Sequence, residues 1–179
     1  MSRLDDGFTL PELLISITVL GIVAPAMAGA IVLGLKMTSS TSSQLAASHN
    51  RQELAGFFTS DVQSAVTIAD QTSVDTTTCL SSGQTLVGRL SWTDVDSAAT
   101  STSRVVTYVS ATVGGERQLI RNICTGATML SVVAVHGAVS SNLACTSTTF
   151  AAAACATAAG AKLTVADAAG TWVDEGLTR

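Results

Sequence analysis

The sequence predicts an α+β protein: a long N-terminal helix, with a transmembrane half and an amphipathic half, packed on an antiparallel β-sheet head. Three observations predict it. Residues 13–35 carry no charged side chain; Leu54, Phe58, Val62 and Ala65 recur at helical spacing; and two strand-like runs flank Gly114-Gly115. With 179 residues the chain has room for one globular unit plus attachments. Its hydrophobic content of 47% against 12% charged residues excludes a highly charged disordered polymer. A formal charge of −4 gives no general field for phosphate, so nucleic acid is an unlikely partner.

As a helix the uncharged run would rise about 35 Å, enough to cross a bilayer once. Ser16, Thr18, Gly21, Pro25, Gly29 and Gly34 interrupt it, and a membrane helix tolerates such residues better than an isolated soluble one. Pro25 removes an amide donor and is expected to kink or locally unwind the helix. Glu12 stands at the edge of this run, where an ionised carboxylate in hydrocarbon costs at least about 2.5 kcal/mol and calls for a partner. A competing reading is a secretory signal peptide cut after Ala28, because Ala26-Met27-Ala28 fits an A-x-A site. Arg3 offset by Asp5 and Asp6, together with Glu12, argues against it.

The junction Met1-Ser-Arg-Leu-Asp-Asp-Gly7, followed by Phe8-Thr-Leu-Pro-Glu12, resembles the start of type IV prepilins and type II secretion pseudopilins. The resemblance implies cleavage by a prepilin peptidase between Gly7 and Phe8 and N-methylation of Phe8. It also gives Glu12 a partner, the amino terminus of Phe8 on a neighbouring subunit. Buried in a filament, that pairing would set the axial register, since every wrong stagger leaves the acid unpaired; specificity is the gain more than stability. Implied partners are other pilin or pseudopilin subunits, the prepilin peptidase, the inner-membrane assembly platform, and membrane lipid before assembly. The acidic leader is similar to prepilins of GC-rich Gram-positive bacteria. Residues 51–65, the Tyr108 strand and Leu119-Ile120-Arg121 resemble minor pilins of the PilW and PulJ kind.

The expected organisation is a leader at 1–7, a transmembrane and polymerisation helix at 8–35, a hinge and amphipathic helix at 36–70, and an exported β-rich head at 71–179. The Ser/Thr run after Met37 reads as either a flexible hinge or a partly melted helix, with helix returning as far as about Ile68. Strands are expected at 85–93, 104–113, 116–124, 129–136, 162–166 and 171–173, and loops at 97–103 and 151–161. A two-residue turn at Gly114-Gly115 would set Val109 opposite Ile120, Val105 opposite Cys124 and Tyr108 opposite Arg121.

Four cysteines, Cys79, Cys124, Cys145 and Cys155, all follow the apolar run, and an even number on an exported head suits disulfides. Of the three possible pairings, the short intervening loop favours Cys145 with Cys155, which leaves Cys79 with Cys124. No C-x-x-C pair supports zinc. Asp94 and Asp96 are too few for a calcium shell by themselves, and His49 and His136 belong to no metal-ligand spacing. No hydrolase elbow, H-E-x-x-H or phosphate-cradling glycine motif occurs, so neither catalysis nor a cofactor is expected. Arg117 and Arg121 share a strand face, but two arginines make no nucleic-acid groove. A structural filament subunit is therefore the expectation; the alternative is a secreted or anchored β-rich adhesin or binding module.

Overall fold

The computed structural model describes residues 9–72, 79–95, 97 and 99–179. One α-helix, α1 (Leu10–Ser64), is followed by β1 (Thr67–Asp70), β2 (Thr85–Val95), β3 (Ser101–Val113), β4 (Glu116–Thr125), β5 (Thr128–His136) and β6 (Ser140–Thr146). A short 3-10 turn (Cys155–Thr157), β7 (Gly160–Asp167) and β8 (Gly170–Leu177) complete the order. The chain divides into two compact units, one ending at Gln44 and one comprising Leu45–Arg179.

In the first unit the Ser/Thr run after Met37 is α-helical, where a melted section was one of the two expectations. Thr38 Oγ1 donates to the Gly34 carbonyl at 2.9 Å and Thr41 Oγ1 to that of Met37 at 2.9 Å. Such bonds satisfy the hydroxyls within the helix, although this back-bonding slightly destabilises a helix and tends to bend it.

The second unit is an α+β head. Five antiparallel strands in the order β1-β2-β3-β4-β5 form one sheet, and β6-β7-β8 form another. Gly114 and Gly115 take φ of 62° and 86°, the positive values a two-residue hairpin turn demands. The turn fixes the register: Val109 pairs with Ile120, Val105 with Cys124 and Tyr108 with Arg121. From α1, Leu54, Phe58 and Val62 are fully buried against Leu90, Val106, Tyr108 and Leu119 of the larger sheet and Leu143, Leu163 and Val165 of the smaller one. Phe58 meets Tyr108 edge-on at 5.6 Å. Two glycines permit the close approach. A Cβ on Gly88 would lie 2.5 Å from Leu143 Cδ1, and one on Gly176 would lie 2.9 Å from Val62 Cβ.

Three boundaries differ from the sequence expectation. The helix stops at Ser64, because Val66 donates its amide to the Ser91 carbonyl at 3.0 Å and the β-branched segment that follows adds to β2 as β1. Strand β6 carries the polar sequence SSNLACT, which hides the alternation of Leu143 and Cys145 into the core. The hydroxyl-rich and alanine-rich stretches expected as loops are partly structured: β3 begins at Ser101, while the 3-10 turn and the start of β7 lie within 151–161.

On the sheet face away from α1, a smaller cluster of Leu86, Val109 and Ile120 packs with Leu80. Polar groups close over it. Thr107 Oγ1 donates to the Cys79 carbonyl at 2.7 Å, Asn122 Nδ2 donates to the same carbonyl and to Gln84 Oε1, and Ser131 Oγ donates to Asn122 Oδ1.

Candidate assembly site

The helix from Leu10 to Thr38 has a mean hydropathy of 2.2, and none of it is buried within the chain. Leu13, Ile17, Leu20, Val23 and Ile31 are each at least 46% exposed, leaving the segment apolar on every side with nothing of its own to cover it. Such a helix must find lipid or other helices. Its hydroxyls are satisfied internally: Ser16 Oγ donates to the Glu12 carbonyl at 2.8 Å, and Thr18 Oγ1 donates to those of Ile15 and Leu14. That is what a hydrocarbon setting requires of hydroxyls. Pro25 lies within the helix and supplies no amide for the Gly21 carbonyl.

Glu12 occupies the first turn of α1, where its own amide bonds the Thr9 carbonyl at 3.0 Å. The helix dipole there favours a negative charge by about 0.3–1 kcal/mol. No side-chain hydrogen bond or ion pair engages its carboxylate among the described residues, so it is free to meet a group supplied by another molecule. Gly7 and Phe8 lie outside the described residues.

The four cysteines of the head form two disulfides, Cys79 with Cys124 at a Cα–Cα distance of 5.7 Å and Cys145 with Cys155 at 5.1 Å. The first fastens the segment after β1 to the back of the larger sheet; the second fastens the 3-10 turn to β6. Asp94 accepts from Trp92 Nε1 at 3.0 Å and pairs with Arg104, which occupies it as a candidate cation ligand. Asp96 lies outside the described residues. His49 faces Glu53 at 3.5 Å and His136 faces Glu116 at 4.0 Å, both exposed. Among the described residues no three His, Cys, Asp or Glu side chains are grouped to hold a metal. Arg117 donates to the Val139 carbonyl and Arg121 to Asp61, so both guanidinium groups serve internal contacts.

That last contact is the functional feature the sequence did not disclose. Asp61 of α1, only 2% exposed, accepts from Tyr108 Oη at 2.7 Å and from Arg121 Nε at 2.6 Å through Oδ2, while Arg121 Nη2 donates to Oδ1. The guanidinium also lies 5.1 Å from the centre of the Phe57 ring. Burial, reinforced by the adjacent Asp61 carboxylate, holds the Tyr108 hydroxyl well above its ordinary pKa. For Arg121, burial works against the charge, but the Asp61 hydrogen bonds and charge outweigh it and the pKa rises. Sliding α1 by one turn would leave a buried cation without its anion, so the cluster fixes how the helix docks. The available signal was an aspartate flanked by Phe58 and Val62 on an apolar stripe.

A membrane-length N-terminal helix with an acid in its first turn, followed by a disulfide-stapled α+β head, defines a pilin-like class of architecture. Residues 3–24 match the family described as the prokaryotic N-terminal methylation motif, a range that contains Gly7, Phe8 and Glu12. The match supports the type IV pilin and pseudopilin class, and implies processing by a prepilin peptidase and assembly with other pilins. It suggests a structural, non-enzymatic subunit, and the apolar helix beside it fits membrane anchoring. No curated protein and no solved structure matches the chain.

Proposed function

We propose that this chain is a subunit, of the minor kind, of a type IV pilus or type II secretion pseudopilus. It is inserted in the cytoplasmic membrane with its head outside, cut between Gly7 and Phe8, methylated on Phe8, and drawn into a filament by the assembly platform. The observation that carries the reading is the methylation-motif match at 3–24, joined directly to a helix that nothing in the chain covers. Residues 8–35 act as the polymerisation helix, α1 continues as an amphipathic segment to Ser64, and the rest is the exported head. Glu12 pairs with the amino terminus of Phe8 on the next subunit and so marks the stagger. The resemblance of residues 51–65, Tyr108 and Leu119-Ile120-Arg121 to minor pilins supports placing it among the minor subunits.

Two substitutions test the roles separately. Gly7→Ala leaves an uncleaved precursor in the membrane, visible as a mass shift. Glu12→Ala is cleaved and inserted normally, yet removing one member of a buried charge pair costs about 2–5 kcal/mol, so its incorporation into sheared filaments falls at least about tenfold. Normal incorporation of the Glu12 variant would remove that carboxylate from the mechanism.

A further inference from the structure

Among the described residues the two sheets end in the edge strands β1, β5, β6 and β8, and all but β5 are closed to further pairing. Strand β1 has four residues and ends in Asp70. Strand β6 is covered on its outer side, where the Ala153 amide donates to the Cys145 carbonyl at 3.0 Å and Thr146 bridges to Ala152. Strand β8 carries Asp174 and Glu175 in mid-strand. Shortness, a covering segment and charge are devices that keep an edge from adding another strand. Over residues 128–133 β5 has none of them: the sequence TMLSVV holds no charge, proline or glycine. A bulge at Ala134 ends this regular run, and beyond it the Asn50 side chain donates to the His136 carbonyl at 3.1 Å. Thr128, Met129, Leu130 and Ser131 are all exposed, Leu130 by 60%.

An open edge selects its partner through the backbone. Alternate residues of β5 turn their amide and carbonyl away from β4, and among the described residues no other backbone group takes them up over 128–133. What satisfies such a row is another extended strand, and an edge without charge on either face asks for one equally uncharged. Within this chain β5 is itself the edge that fits. Set antiparallel to its own copy about a two-fold axis through Ser131, Leu130 opposes Val132 on one sheet face and Met129 opposes Val133 on the other, so apolar meets apolar in both rows. Moving the axis one residue either way sets Ser131 against Met129 or Val133. We propose that the head pairs with a second copy of this chain through β5, joining the two larger sheets into one continuous sheet. The pair closes on itself, because the outer edges of the joined sheet are the two short β1 strands. The contact goes beyond the filament reading and does not rest on it.

The test reconstitutes the full chain at one copy per lipid nanodisc, which keeps the apolar helices apart and leaves the heads free to meet. Sedimentation of the discs is expected to show a monomer–dimer equilibrium with a dissociation constant on the order of 10 μM, suited to a contact at the small end of specific interfaces. Leu130→Lys, a charge at an exposed edge position, weakens it at least about tenfold, whereas Val173→Lys on the β8 edge leaves it unchanged. Thermal melts check that the variants fold, and Thr128→Lys serves as a second edge variant. Register is read by photo-methionine, since Met129 is the methionine of the head. In a mixture of isotopically light and heavy chain, cross-links between copies should run from position 129 to Val133. No dimer at about 200 μM, open-ended aggregates in place of a dimer, undiminished pairing by both edge variants, or head cross-links between copies that map to another element overturns the proposal.

Discussion

Asp61 holds α1 to the centre of the larger sheet by accepting hydrogen bonds from both Tyr108 and Arg121. Replacing it by alanine strands a buried guanidinium, and denaturation of the purified chain should show a loss of about 3–5 kcal/mol. The double variant Asp61→Leu with Arg121→Met should recover most of that loss, because an apolar pair removes both desolvated charges at once. A pH effect follows from the one tyrosine in the chain. Its folded-state pKa is raised, so its contribution to stability is complete below the unfolded value of about 10 and is lost as pH climbs through the interval up to the folded value. Melting temperature should therefore fall as pH rises above about 10, and Tyr108→Phe should flatten that fall. At this scale the facing of Tyr108 and Arg121 was legible, because Gly114-Gly115 dictates the hairpin register. The part played by Asp61 was not: on a helix wheel it reads as a polar flank until the sheet beneath it is in place.

Elements built from strong local signals were the readable ones. The strands β2 to β5 combine β-branched residues with glycine turns, and α1 combines an apolar span with a later amphipathic stripe. Strand β1 escaped because Val66, Thr67 and Ile68 continue the helical spacing of Leu54, Phe58 and Val62; only the free edge of β2 makes the extended form the better one. Strand β6 escaped because its pairing with β7 is a long-range fact that a serine-rich segment does not advertise. The two disulfides act at this scale. Cys79–Cys124 spans 45 residues and Cys145–Cys155 spans 10. By chain entropy the first contributes about 4 kcal/mol and the second about 3 kcal/mol. Thermal melts of the paired serine variants should rank the loss in that order, and a larger loss from the Cys145–Cys155 pair would show that native-state contacts around the 3-10 turn outweigh loop closure.

For the molecule as a whole, the proposed function turns on a helix from Leu10 to Thr38 that the chain leaves uncovered. The apolar helix and the methylation motif were legible because each is a contiguous pattern, an unbroken apolar run and a glycine-aromatic step with an acid five residues beyond the glycine. Head contacts such as the Asp61, Tyr108 and Arg121 cluster were not, since they depend on a helix and two strands meeting. The central claim is that removal of the leader converts a membrane-anchored chain into a filament subunit. Mass spectrometry of the mature amino terminus, on chain recovered from sheared surface filaments, tests it most directly. The account predicts a terminus at N-methylated Phe8. A terminus at Met1 would show an uncleaved anchor, and one at Gly29 would show a secreted protein released by signal peptidase; either would contradict the claim.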